Sequence, residues 1–221
     1  MAGPHQGQRV LALGAALDRA EAAMILVHGR GASAHDIMTI AAEVNQPGFA
    51  FLAPDAAGAA WYPNRFMEPI DTNQPWLDSA LELLGFILGQ VEERIPTERV
   101  ILLGFSQGAC LSLEFAARNA RRFGALVGLS GGLIGPDGTP RDYPGSLAGT
   151  PVFLGCSDID PHIPAERVEE TGRILEALGG AVTVQLYPGM GHEVNADELE
   201  RVRGLMAALP RRQESAKAAD G

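Results

Sequence analysis

Cysteine is scarce in this chain: 221 residues contain two, Cys110 and Cys156. Their separation is not that of metal ligands, which excludes a disulfide framework and a zinc site, and both are expected to sit reduced in apolar surroundings. Basic residues are also few, 17 against 27 acidic ones, for a formal charge of −10. Nucleic acid and anionic membrane surfaces are held by clustered Lys and Arg that displace counterions from phosphates. Here the basic residues are scattered apart from Arg121-Arg122 and Arg211-Arg212, pairs expected on a solvated face, so no nucleic-acid partner is expected. No apolar run approaches the roughly 20 residues that cross a bilayer, so no membrane span is expected either. The N-terminal "RVLALGAALDRA" begins like a signal peptide, with Arg9 ahead of small and apolar residues, but Asp18-Arg19 ends that run early. A cytoplasmic protein is therefore expected. There is no internal repeat.

What is present is an ordinary globular composition, 46% hydrophobic and 20% charged. The length suits one domain with a substantial core. We expect a single domain over 1–210 and a polar, disordered tail, "RRQESAKAADG", over 211–221. Short apolar runs recur at "MILVHG" (24–29), "FAFLAPD" (49–55), "VILLGF" (100–105), "ALVGLSGG" (125–132), "PVFLGC" (151–156) and "VTVQLYPG" (182–189). They are apolar throughout rather than alternating, as buried strands of a parallel sheet must be. Helical period fills the stretches between, at 34–44, 76–94, 107–120, 165–178 and 196–209. A further strand is marked faintly near Val10 to Leu13. This alternation predicts an α/β fold, a mostly parallel central sheet with helices on both faces and a ligand site beyond the carboxyl ends of the strands. Segments 55–75 and 134–150 break the rhythm and read as loops.

One motif carries chemistry. Gly104-Phe105-Ser106-Gln107-Gly108 is G-x-S-x-G, placed after a predicted strand and opening a predicted helix. Such a turn holds the serine in a strained conformation, while the glycines leave room where a Cβ would collide with neighbouring backbone. The alternative is a plain helix N-cap, which needs no flanking glycine. A nucleophilic serine needs a base, and the base needs a carboxylate, in the chain order Ser, then Asp or Glu, then His. Among five histidines only His192, in "YPGMGHEVN", follows the last predicted strand, and it is the candidate base. "GCSDIDPHIP" offers Asp158 and Asp160 as the acid, and spacing does not separate them. Oxyanion donors are expected from the backbone NH of Gln107 and from Arg30, in the Gly-flanked loop "VHGRGAS". His28 is expected to brace that loop rather than transfer protons.

"VHGRG", "GFSQGA", "LSGG", "DIDPHIP" and "YPGMGH", in that order and at fitting separations, resemble the phospholipase/carboxylesterase family of α/β-hydrolases, which also contains the acyl-protein thioesterases. The resemblance runs from about residue 8 to 209. It implies an α/β-hydrolase fold with no large separate cap domain. It also implies a serine carboxylesterase that works through an acyl-enzyme on a small-molecule ester, without metal or cofactor. Its nucleophile falls on Ser106, its base on His192 and its acid on the aspartate before Pro161, which resolves the choice to Asp160; its oxyanion donors match Arg30 and Gln107. Where relatives often carry His-Gly, this chain has Cys156-Ser157. "GAAWYPNRF" is similar to small bacterial esterases of the family, with Trp61, Tyr62 and Phe66 either lining a substrate pocket or packing beneath a loop. An acyl thioesterase or lysophospholipase with the same triad, and a non-catalytic receptor on the same scaffold, are the competing functions. A homodimer is an allowed assembly.

Overall fold

The computed structural model describes residues 3–209, so the tail at 211–221 lies outside the described residues. Seven strands form one sheet: β1 (Val10–Gly14), β2 (Ala22–Val27), β3 (Phe49–Pro54), β4 (Val100–Phe105), β5 (Ala125–Leu129), β6 (Pro151–Ser157) and β7 (Ala181–Tyr187). Their spatial order is β1-β3-β2-β4-β5-β6-β7. The faint first strand is real and pairs antiparallel with β3, while every other neighbouring pair is parallel. Five helices alternate with the strands: α1 (Ala34–Val44), α2 (Trp76–Glu92), α3 (Gln107–Arg118), α4 (Ala165–Ala177) and α5 (Ala196–Ala207).

The uninterrupted apolar runs follow from burial on both faces. Along β2, Ala23, Ile25 and Val27 pack with the apolar sides of α2, α3 and α4, whereas Ala22, Met24 and Leu26 pack with α1 and α5. Each face of the sheet thus owns a core, and a single strand has to supply both. The edges depart from this rule. The pattern predicts β7 to be buried like the rest, but none of its residues is fully buried: Ala181 and Thr183 are exposed and the others half-buried, because only β6 flanks it and only α4 covers it closely. β1 on the opposite edge is likewise half-exposed.

The topology decides where a site can form. The chain leaves β2 toward β3 on one side, then returns to lay β4 on the other side of β2, with Val27 opposite Gly104. The connections after β2 and after β4 therefore diverge from adjacent strand ends, which opens a crevice at that point of the sheet.

Candidate active site

Ser106 stands in the crevice, at the junction of β4 and α3. It occupies the N-cap position of α3 but makes no side-chain capping bond, and its backbone lies at φ 55°, ψ −122°. A side chain at positive φ is strained, and a capping serine has no need of it. The two glycines of the motif have distinct jobs. A Cβ on Gly104 would run into the Gly108 carbonyl, and one on Gly108 would run into the carbonyls of Val27 and His28. Gly104 thus lets β4 turn directly into α3, and Gly108 lets the first turn of α3 rest on the end of β2.

His192 and Asp160 arrive from the loops after β7 and β6. The His192 ring lies with Nε2 2.8 Å from Ser106 Oγ and Nδ1 2.7 Å from Asp160 Oδ2. The Asp160 side chain is fully buried and also accepts the amides of His162 (2.8 Å) and Ile163 (3.0 Å). Burial alone would raise its pKa; the His192 ring and the two amides outweigh that and hold the carboxyl below its usual range. An ionised carboxylate only accepts, so His192 carries its proton on Nδ1 and offers Nε2 as acceptor to the Ser106 hydroxyl. Phe105 and His162 flank the ring, with centroids 5.0 and 4.9 Å away. Asp158, the other aspartate of the segment, accepts the Gly189 amide at 2.8 Å, and the Ser157 hydroxyl donates to the Met190 carbonyl. The acid loop and the histidine loop are thereby tied together, in part through Ser157.

The backbone NH groups of Arg30 and Gln107 flank the serine from the ends of β2 and α3. Neither donates to another group among the described residues, and Gln107 begins a helix, where amides are unpaired and the helix dipole favours negative charge. The side chains of both residues serve a purpose that sequence reading missed. Arg30 donates to the carbonyls of Tyr62 (2.8 Å), Pro63 (2.9 Å) and Asn64 (2.6 Å). Gln107 accepts the Trp61 amide at 2.9 Å and donates to the Tyr62 carbonyl at 2.8 Å. Segment 61–64 is thus clamped against the two loops that bear the free NH groups.

Two histidines secure the same segment from below. His28 accepts the Ala56 amide on Nε2 (3.0 Å) and contacts the Gly29 carbonyl through Nδ1 (2.7 Å), the bracing role expected of it. His5, near the N-terminus, is buried, with Nε2 on the Trp61 carbonyl (2.9 Å) and Nδ1 on the Ala57 amide (3.1 Å). Burial lowers the pKa of both rings, in keeping with each using one nitrogen as an acceptor.

A cavity of about 850 Å³ opens over Ser106. Tyr62, Phe66, Cys110 and Ile163 form its apolar wall, and Arg30, Arg65, Glu68 and His162 supply its charged and polar groups. Of the three aromatic residues marked in the sequence, Tyr62 and Phe66 line it. Trp61 does not: it is fully buried between His5 and His28, its indole NH on the His28 carbonyl at 2.8 Å, so its role is packing beneath the loop. A smaller recess of about 360 Å³ lies on the other side of His192, among Ile37, Ile40, Phe105 and Val194. Among the described residues no group of three or more His, Cys, Asp or Glu side chains is placed to hold a metal, and no helix is long and apolar enough to cross a membrane.

A mostly parallel sheet covered on both faces, with a strained serine between strand and helix and a histidine and an aspartate brought to it from later loops, defines an α/β-hydrolase. The family model described as Phospholipase/Carboxylesterase matches residues 10–209, and the chain belongs to that family. It is similar to the crystal structure of a phospholipase/carboxylesterase from Dyadobacter fermentans, at 40% identity and a TM-score of 0.87, covering 91% of this chain and 97% of that one. The structure of esterase PE8, at 22% identity and a TM-score of 0.76, shares the fold over 92% of this chain and 99% of its own. Among curated proteins, acyl-protein thioesterase 1 of Gibberella zeae is 31% identical over 131 residues, 55% of this chain and 53% of its own length. The chain thus spans about half the length of that curated relative.

Proposed function

We propose that this chain is a serine carboxylesterase acting on small to medium esters. The observation that carries the reading is the unbroken relay from Ser106 Oγ through both nitrogens of His192 to Asp160, beside two unpaired backbone NH groups. His192 Nε2 takes the Ser106 proton as Oγ attacks the ester carbonyl. The developing oxyanion is held by the NH groups of Arg30 and Gln107, and Asp160 stabilises the imidazolium. His192 then returns the proton to the departing alkoxide, which leaves as alcohol. In the second half the same ring deprotonates a water, the acyl-enzyme collapses, and the carboxylic acid is released as Ser106 recovers its proton.

A panel of p-nitrophenyl esters of increasing acyl length, run on the wild type and on Ser106→Ala, tests this. Turnover in the wild type that falls at least about a thousandfold in a folded Ser106→Ala protein is the expected result. A folded Ser106→Ala protein that keeps its activity would overturn it. The second reading, an acyl thioesterase, is favoured by the names of the curated relatives. A maximum at long acyl chains, together with faster cleavage of a thioester than of its oxygen ester, would select it. Tight retention of ligand without turnover would select a receptor.

A further inference from the structure

The cavity over Ser106 has a charge that the rest of the molecule does not share. In a chain of net charge −10 its lining holds two guanidinium groups and one carboxylate, that of Glu68. Arg30 has no carboxylate partner among the described residues: its guanidinium rests on three neutral carbonyl oxygens. Arg65 is exposed at the wall and has no acceptor among the described residues, and Glu68 pairs with neither arginine. The backbone beneath Arg65 is nevertheless fixed. Asn73 accepts the Asn64 amide at 2.8 Å and donates to the Arg65 carbonyl at 3.3 Å, while Asn64 donates to the Thr72 carbonyl at 2.7 Å. An unpaired guanidinium on a fixed base, one residue along the chain from the carbonyl that anchors a second guanidinium, is a fork for a carboxylate or phosphate group. Tyr62, Phe66 and Ile163 supply apolar contact for the remainder of such a ligand.

We infer that the substrate is an ester carrying a second, anionic group, held by Arg65 in the field of Arg30. The inference rests on the esterase reading and narrows it to a substrate class. Two matched pairs test it: methyl hydrogen glutarate against methyl pentanoate, which places a carboxylate on the acyl side, and acetoxyethyl phosphate against butyl acetate, which places a phosphate on the alcohol side. For at least one pair, kcat/KM should favour the anionic ester by about tenfold in low salt, the scale of one charge-assisted bond in a partly solvated site. That ratio should shrink in 0.5 M NaCl as an added condition of roughly 4 Å screening length. It should fall toward one in Arg65→Ala, persist in part in Arg65→Lys and invert in Arg65→Glu. Arg65 is exposed, so these variants should fold. Ratios near one for both pairs in the wild type, or a ratio that Arg65→Ala leaves intact, would overturn the inference while leaving the esterase reading standing. If no ester of either pair is hydrolysed and the neutral nitrophenyl esters also show no Ser106-dependent turnover, both fall together.

Discussion

Glu198 should make the fold less stable as pH rises, and Glu198→Gln should remove that dependence. The carboxylate sits in the first turn of α5, just after the loop that carries His192. Oε2 accepts the Asn195 amide at 2.9 Å while Asn195 accepts the Glu198 amide at 2.9 Å, a reciprocal cap that fixes the end of the loop. Oε1, by contrast, faces the backbone of Gly155 and has no hydrogen-bond partner among the described residues, in a residue with no exposed surface. Burial pushes the pKa from 4.5 to about 7; the Asn195 amide opposes the rise, and neighbouring Asp197 adds to it. A folded value above the unfolded one means that the native state keeps the proton longer. The associated stability is complete below pH 4.5 and is lost as pH rises through about 7. At about 1.4 kcal/mol per unit, the shift corresponds to about 3 kcal/mol between those limits. Glutamine keeps the capping acceptor and carries no charge at any pH. Urea unfolding at pH 5, 6, 7 and 8 on both proteins should give similar stabilities at pH 5 and a variant more stable by up to about 3 kcal/mol at pH 8. A difference between the two proteins that stays constant from pH 5 to 8 would refute the argument, because a packing change does not titrate.

Three further outcomes follow from the geometry of the serine turn. Ser106→Gly should be more stable than Ser106→Ala by roughly 1 kcal/mol in denaturant unfolding, since glycine relieves the positive φ that alanine retains; equal midpoints would argue against strain at this position. Gly108→Ala should cost at least about 2 kcal/mol, because the new methyl meets the backbone carbonyls of Val27 and His28 rather than a side chain that could swing away. A variant of wild-type stability would show that α3 is free to back off the sheet. Gln107→Ala should cost about 1–3 kcal/mol by leaving the buried Trp61 amide without its acceptor. It should also raise KM by loosening the wall at Tyr62, which steady-state kinetics on the nitrophenyl esters would read; an unchanged KM would mean that Arg30 alone holds the segment.

The starts of all five helices were legible in the sequence, because each follows a turn or loop at which the apolar period changes from strand to helix. Their ends were less so. The helical pattern predicts α2 to run to 94 and α3 to 120, whereas they stop at Glu92 and Arg118; amides just past each end still bond back, Ile95 to the Val91 carbonyl at 2.9 Å and Asn119 to the Phe115 carbonyl at 3.0 Å, so the pattern outlasts the regular helix by a residue or two. The edge character of β7 was hidden for a related reason. It is as β-branched as the central strands, with Thr183 and Gln185 as its only polar residues, and only the spatial order of the sheet decides which strand lacks a second neighbour. The serine, the histidine and the two free NH groups were visible because each sits within a few residues of a strand end. What holds them was not, because it is made of contacts between residues far apart in the chain: Gln107 with Trp61, Arg30 with Pro63, His5 with Trp61.

Those distant contacts share one target, the segment 56–64. His5 and His28 fasten its underside, Gln107 and Arg30 its upper side, and Trp61 fills the space between. The side chains of Gln107 and Arg30 grip the segment while their backbone NH groups stay unpaired, so the proposed oxyanion donors and the cavity wall cannot move independently. A substrate that displaced Tyr62 would pull on the carbonyl held by both residues and so on the loops carrying the donors. Ligand fit at the wall and alignment of the donors are therefore one property of this fold. Substitutions at 61–64 should change kcat as well as KM, even though none of these side chains lies in the relay between Ser106, His192 and Asp160.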